Sequence, residues 1–374
     1  MRIVYFSRSF IPSFDANAVH VMNMCEALAQ EGHDVLLLCP DRGQVKESIN
    51  DFYGSKNKFT ILHIPYPDLK GKALSYALMS IPHILGFRPD LVISRFLYGS
   101  LISTLFRAPV IHDFHGDDWN RTRIIKTFVR WLLTSKKLKK ITFNSKGLLN
   151  SFMSQGFPVP NSLTVEILPN GSFINSLIDK AILPGQNVVK VGYFGSLYHG
   201  RGIRLIIEIA KGLKHIDFII GGGTPEEIEN LKNDYSSSNT FFLGHIQPRI
   251  VYRYRNSVDL LIAPYEKEVS MAGGTGNSVD FMNPLKIIEY MSSRKIILTS
   301  DLPAIREIAN DDEVIFLPVN SCDSWIEMIS KVSNNLKLYE PYAINSYEKF
   351  LKKYTWSARV LQMTKHFRVT HVFR

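Results

Sequence analysis

Residues 283–308 read NPLKIIEYMSSRKIILTSDLPAIREI. Asn283 is a good N-cap, and Pro284 suits a first helical position, where no N–H is needed. Ile287, Ile288 and Met291 recur at helical spacing, while Lys286 and Glu289, three apart, share another face. The run KIILTS, 295–300, is short and β-branched, as in a strand buried on both faces. Ser300 and Asp301 end it, Pro303 opens a second helix, and Ile305, Ile308 and Ala309 face inward. The stretch therefore predicts a helix–strand–helix unit of an α/β domain. Such sheets bind ligands at the carboxyl ends of their strands, where helix N-termini attract phosphate. Two readings of the acids Glu289 and Glu307 follow: they line a phosphate-ligand crevice, or they are solvated acids on a packed core.

The same alternation extends outward. RIVYF (2–6), DVLLLC (34–39), TILHIP (60–65), LVISRF (91–96), PVIHDF (109–114), KITFNS (140–145) and VEILPN (165–170) read as one series of strands. A helix over 17–31 carries Val21, Met24, Cys25, Leu28 and Ala29 inward and stops at Gly32. A second series runs through VVKVGYFGS (188–196), IDFIIGGG (216–223), TFFLGH (240–245), DLLIAPY (259–265) and KIILTS. Two parallel-sheet halves follow, joined by a linker between Asn170 and Asn187. A glycine-rich loop, SMAGGTGNSVDFMN (270–283), precedes the opening stretch.

Length and composition agree. The 374 residues suit two domains, and a hydrophobic content of 45% is ample for two cores. No apolar run approaches the roughly 20 residues that span a bilayer, and the start, MRIVYFSRSF, reads as a first strand rather than a signal peptide. Cys25, Cys39 and Cys322 are an odd set without metal spacing, which predicts reduced thiols in the cytoplasm. The net charge is +10. Residues 121–146 hold nine cations and no acid: Arg121, Arg123, Lys126, Arg130, Lys136, Lys137, Lys139, Lys140 and Lys146. Ile124, Ile125, Phe128, Trp131 and Leu132 interleave with them at helical spacing. This is either a core helix with a solvated face or a helix on an anionic surface. Nucleic acid is not expected, because no reading module accompanies the patch.

A dinucleotide-dependent oxidoreductase is set aside. Its fingerprint needs a glycine-rich turn after the first strand, but SRSFIPSFDAN follows RIVYF, and Gly221, Gly222 and Gly223 lack a further glycine at the required spacing.

VGYFGSLYHGRGIRLIIEIA, FIIGGGTPEEIENL, FLGHI, VDLLIAPY and the opening stretch stand in the order seen in one family. AVHVMNMCEALAQEGHDVLLLC, ITFNSKGL and ILPNGSF fit it in the first half. Over nearly its full length the chain resembles the retaining, nucleotide-sugar-dependent glycosyltransferases of family 4. The resemblance implies GT-B architecture: α/β, with two Rossmann-like domains facing each other across a cleft. The acceptor-side domain would be 1–178 plus about 355–374, and the nucleotide-sugar domain 187–354. Arg201 stands where the family has a phosphate-binding Lys, and with Lys286 it is expected to carry catalysis by holding the donor diphosphate. A guanidinium keeps the charge and adds a bidentate geometry. Glu289 matches the ribose-binding acid. Asn283, Pro284, Leu285 and Gly195 would approach the diphosphate, and Gly273, Gly274 and Gly276 the donor sugar. His115 matches the catalytic His beside the transferred sugar, with Asp113 to orient it. Asp15, Asn17, His20, Arg95, Asp117 and Asp118 are acceptor-side candidates. The chain departs from the family pattern at Ser196, usually Arg, and at Phe281, usually Glu.

The implied activity is transfer of a sugar from a UDP- or GDP-linked donor to a glycan or polyprenyl-linked acceptor, in bacterial surface polysaccharide synthesis. No cofactor and no metal are expected, since cationic side chains can stabilise the leaving diphosphate and no His, Cys or Asp cluster has metal spacing. Residues 121–146 would seat the protein on the inner, anionic face of the cytoplasmic membrane. A nucleotide-sugar 2-epimerase or hydrolase, and a silent subunit of the same fold, are the alternatives.

Overall fold

The structure is a computed structural model that describes residues 1–13, 15–41, 49–55, 59–66, 71–268 and 283–367. The chain divides into two compact units: residues 1–170 with 356–374, and 171–355.

In unit 1 the strands are β1 (Arg2–Phe6), β2 (Asp34–Pro40), β3 (Thr60–Ile64), β4 (Leu91–Ser94), β5 (Val110–Phe114), β6 (Leu138–Phe143) and β7 (Thr164–Ile167). All pair in parallel, in the order β3-β2-β1-β4-β5-β6-β7. The connecting helices are α1 (Ala16–Gln30), α2 (Ile49–Tyr53), α3 (Lys72–Met79), α4 (Ile81–Phe87), α5 (Leu97–Ser103), α6 (Arg123–Thr134) and α7 (Lys146–Met153). Ile3 to Phe6, Leu91 to Ile93 and Val110 to Ile111 have no exposed surface, as expected of apolar strands covered on both faces.

Unit 2 holds β8 (Lys190–Phe194), α8 (Ile203–Gly212), β9 (Asp217–Gly221), α9 (Pro225–Asp234), β10 (Thr240–Gly244), α10 (Val251–Ser257) and β11 (Leu260–Ala263). Then come α11 (Leu285–Met291), β12 (Ile296–Ser300), α12 (Pro303–Arg306), β13 (Ile315–Leu317), α13 (Cys322–Asn334) and α14 (Leu336–Lys353). Its sheet runs β10-β9-β8-β11-β12-β13, again parallel. The opening stretch is thus α11, β12 and α12, with Ile287, Ile288, Ile297, Ile305 and Ile308 in the core. The helix starts at Leu285, one residue later than the cap signal predicts, and Pro284 occupies the cap position.

Each sheet has the doubly wound order of a Rossmann-like domain, which reverses beside its first strand. The crevices that such reversals open lie after β1 and β4 in unit 1 and after β8 and β11 in unit 2. The last described helix, α15 (Trp356–Thr364), belongs to unit 1 and packs on α1. The amine of Lys140 caps it by donating to the carbonyls of Gln362 and Met363.

Candidate active site

In unit 2, the loop after β8 passes through Gly195 and Arg201 before α8. Close backbone approaches shape it. A Cβ on Gly222 would fall 1.9 Å from the Gly195 carbonyl oxygen, so the ends of β8 and β9 come this close only because Gly222 has no side chain. Gly202, at φ +73°, lies so near the end of β11 that a Cβ would sit 1.8 Å from the Pro264 carbonyl oxygen. These contacts bring Arg201 beside Tyr265, its guanidinium carbon 5.4 Å from the ring centroid.

Lys286 enters from the first turn of α11. Its ammonium lies 3.6 Å from the centroid of the Tyr193 ring and 5.2 Å from that of Tyr265. A Cβ on Gly195 would stand 2.7 Å from the Lys286 Cε, so this glycine makes room for the lysine. Among the described residues, the Lys286 Nζ and the Arg201 Nε are buried without a hydrogen-bond partner. Burial, and then the neighbouring charge of Arg201, hold the Lys286 ammonium well below its ordinary pKa; Glu289 opposes them. Two cations gathered in this way, with cation–π contacts but a bare ammonium, make a preformed anion seat. Glu289 is about one-third exposed and its Oε2 accepts from Nη1 of the buried Arg255 at 3.3 Å. One role of the carboxylate is therefore to neutralise Arg255, which the sequence did not reveal.

In unit 1, β5 ends on Asp113 and Phe114, and His115 follows. The His115 Nε2 donates to Asp113 Oδ2 at 2.8 Å, and Nδ1 lies 3.4 Å from the Asn144 amide. Nε2–H is committed to the carboxylate, so the free valence of the ring is a weakly held acceptor at Nδ1, not a donor. Burial, and then the Arg95 charge, lower the His115 pKa to about 4, which leaves a neutral imidazole near pH 7. Burial alone would raise the Asp113 carboxyl, but Arg359 and then His115 outweigh it and hold it well below the usual carboxylate range. Arg95, just after β4, donates to His20 Nδ1 at 2.8 Å. The His20 ring meets those of His115 and Trp356 edge to face, and its Nε2 is buried without a partner.

His20, Asp113 and His115 offer ligand atoms within 4.8 Å of one another. This cluster joins α1 to the end of β5, which sequence spacing could not show. Burial, and then the Arg95 charge, hold His20 well below its ordinary pKa, as they do His115. Arg359 already neutralises the carboxylate, and Arg95 occupies one lone pair of His20.

The structure gathers Arg201, Lys286 and Gly195 at one crevice edge, and His20, Arg95 and His115 at another. Asn283, Pro284 and Leu285 lead directly into Lys286. Asp15 and Asn17 are exposed at the start of α1. Asp117 accepts from the Asn120 amide and Asp118 pairs with Arg121. Gly273, Gly274 and Gly276 lie outside the described residues. Sequence reasoning missed Tyr193, Tyr265, Arg255 and Arg359. A lone Arg in a late helix, as at 359, carries no local signal. The basic stretch also needs correction. Lys140 is buried, bonded to Glu166 and α15, and is no part of the surface, while Ile124 and Trp131 of the apolar stripe are 65% exposed.

Residues 18–171 match the family model described as Glycosyltransferase Family 4, and residues 188–335 match Glycosyl transferases group 1. Together they take up most of the chain. The chain belongs to the family 4 and group 1 glycosyltransferases. Its fold is GT-B, as solved structures of low identity show. The sucrose-phosphate synthase of Thermosynechococcus elongatus superposes with a TM-score of 0.71 at 14% identity, over 98% of each chain. Anabaena Alr3699/HepE in complex with UDP-glucose gives 0.68 at 14%, again over 98% of both. The lipopolysaccharide outer core galactosyltransferase WaaB gives 0.60 at 12%, over 94% of this chain and 99% of the other. No curated protein sequence matches the chain. Among the described residues of this glycosyltransferase, no helix is long and apolar enough to cross a membrane.

Proposed function

We propose that this glycosyltransferase transfers a sugar from a UDP- or GDP-linked donor, with retention at the anomeric carbon, to a glycan or polyprenyl-linked acceptor in bacterial surface polysaccharide synthesis. The observation that carries the reading is the pair of cations, Arg201 and Lys286, converging at the end of β8, with a buried ammonium that has no hydrogen-bond partner among the described residues. A diphosphate supplies the charge this seat lacks, and most strongly as negative charge grows on the departing phosphate. Glu289, with one carboxylate oxygen turned to Arg255, keeps the other for a ribose hydroxyl. His115 accepts from a sugar hydroxyl at Nδ1, displacing the long Asn144 contact. No metal and no cofactor take part in this scheme. The UDP-glucose held by Alr3699/HepE and the outer core substrate in the name of WaaB support the donor and acceptor classes.

We also propose that the enzyme works at the inner face of the cytoplasmic membrane, held peripherally by the exposed cations of 121–146, Lys140 excepted. Each cation near an anionic leaflet contributes about 1 kcal/mol, screened by salt.

The test is a panel of UDP- and GDP-sugars, scored for donor hydrolysis and for transfer to glycan and polyprenyl acceptors. One donor should turn over, and NMR of its product should show the donor's anomeric configuration. An inverted product, or epimerisation without transfer, would overturn the proposal.

A further inference from the structure

The helices that follow β3, β4, β5 and β6 form one layer. α3 packs on α5, α5 on α6 through the edge contact of Tyr98 and Phe128, and the Lys126 amine on α6 reaches Gln155 just past α7. None of the α-helices α3 to α7 contains an acid. From residue 71 to 165 the only carboxylates are Asp90, Asp113, Asp117 and Asp118. Asp113 is buried on Arg359, Asp118 pairs with Arg121, Asp117 accepts from Asn120, and Asp90 accepts from the Arg2 amide at the strand ends. The outward cations of the layer, among them Lys72, Arg88, Arg107, Arg123, Arg130 and Lys146, are exposed.

Apolar side chains stand among them. Leu78 and Leu85 are half exposed on α3 and α4, Leu105 is 76% exposed after α5, and Ile124 and Trp131 are 65% exposed on α6. A face built only for water mixes both signs of charge and keeps few large apolar groups. Cations without acids, interleaved with apolar side chains, are the pattern of an interfacial surface. The apolar groups are spread over four elements rather than gathered in one groove, which fits a broad fluid partner better than a folded one.

We propose that this whole layer, rather than residues 121–146 alone, is the seat of the enzyme on an anionic phospholipid bilayer. Leu78, Leu85 and Trp131 enter the acyl boundary while the cations lie at the phosphate plane. The inference rests on the peripheral-membrane reading above and adds the α3–α4 segment and its insertion. The chain has four tryptophans. Trp119, Trp325 and Trp356 are buried, so Trp131 is the one that reports on a surface event.

The experiment uses the full chain and vesicles of phosphatidylcholine with and without phosphatidylglycerol, over a sodium chloride series. Wild type should bind the anionic vesicles, with a blue shift of Trp131 and quenching by brominated acyl chains. A Leu78→Ser, Leu85→Ser variant should lose about tenfold or more in partition while keeping its melting temperature. An Arg123→Gln, Arg130→Gln variant should lose about fivefold per cation at low salt and less at high salt. Should the leucine variant partition like wild type, with Trp131 unquenched, while the arginine variant loses binding, the α3–α4 seat is wrong and the α6 reading survives. No binding by wild type to any vesicle would overturn both, as would retention on RNA in place of vesicles.

Discussion

The Arg359 Nη2 donates to both carboxylate oxygens of Asp113, at 2.9 and 2.8 Å, and both side chains are buried. Another guanidinium nitrogen, Nη1, donates to the carbonyls of Leu168 and Pro169. The last described helix therefore completes the polar centre at the end of β5, and through Asp113 it sets the orientation of His115. Replacing Arg359 with Leu would strand a buried carboxylate, at a cost of about 3–5 kcal/mol. Adding Asp113→Asn should recover a large part of that loss. Urea denaturation of the single and double variants measures it, and equal loss in both would show that the pair is not coupled.

The same centre predicts a two-step acid response. The His115 pKa is depressed to about 4 from 6.5, so its contribution is whole above about pH 6.5 and is lost as pH falls through about 4. Asp113 is depressed below the carboxylate range, so its contribution is whole above about pH 4 and is lost only below that. Between pH 7 and 4, wild type should lose on the order of 3 kcal/mol that a His115→Gln variant does not lose. Urea midpoints across this range decide, and parallel curves for the two proteins would remove His115 from the response.

Arg201→Ala should damage transfer far more than folding. Removing charge-assisted contacts to a diphosphate costs roughly 3 kcal/mol or more in kcat/KM. Among the described residues the side chain's ring contact is with Tyr265 alone, and it repels Lys286, so the melting temperature should move little. A folded variant with near wild-type turnover would sink its assignment.

Much of the fold was legible because each strand declares itself. Apolar runs such as DVLLLC and KIILTS are too short for helices and too apolar for half-exposed strands. Parallel burial follows, and with it the crossover helices. The three-residue β13 left no such trace. Positions in the candidate site were legible where a residue sits at a strand end or a loop glycine, as with Arg95, His115, Arg201 and Gly195; their roles are proposals. The site was not readable where distant segments converge. Arg359 reaches Asp113, and Arg255 reaches Glu289, by tertiary packing that no spacing encodes. Exposure was equally hidden. Lys140 and Lys139 are neighbours in one basic run, yet the pleat of β6 buries the first and exposes the second.

Glu289→Gln should weaken nucleoside diphosphate binding and also soften the fold, since the buried Arg255 loses its counter-charge. A stability loss of about 1–3 kcal/mol is expected. Calorimetry with UDP and GDP separates the two roles. Lower stability with unchanged affinity for both nucleotides would make Glu289 the partner of Arg255 and nothing more.

Lys286 should make donor binding take up a proton. In the free enzyme its ammonium is held well below the usual value by burial and by Arg201. A diphosphate placed against Nζ favours the charged form and raises that pKa again. Between the two values the free lysine is neutral and the bound one charged. Affinity should then fall as pH rises through this window, the opposite of what carboxylate titration would give. Titrating UDP between pH 7.5 and 9.5, in two buffers of different ionisation enthalpy, reads the uptake directly as a difference in apparent binding heat. Lys286→Met should bind more weakly and lose that difference. Binding heats that agree between buffers at every pH, with Lys286→Met binding like wild type, would mean that the ammonium is not the group that meets the diphosphate.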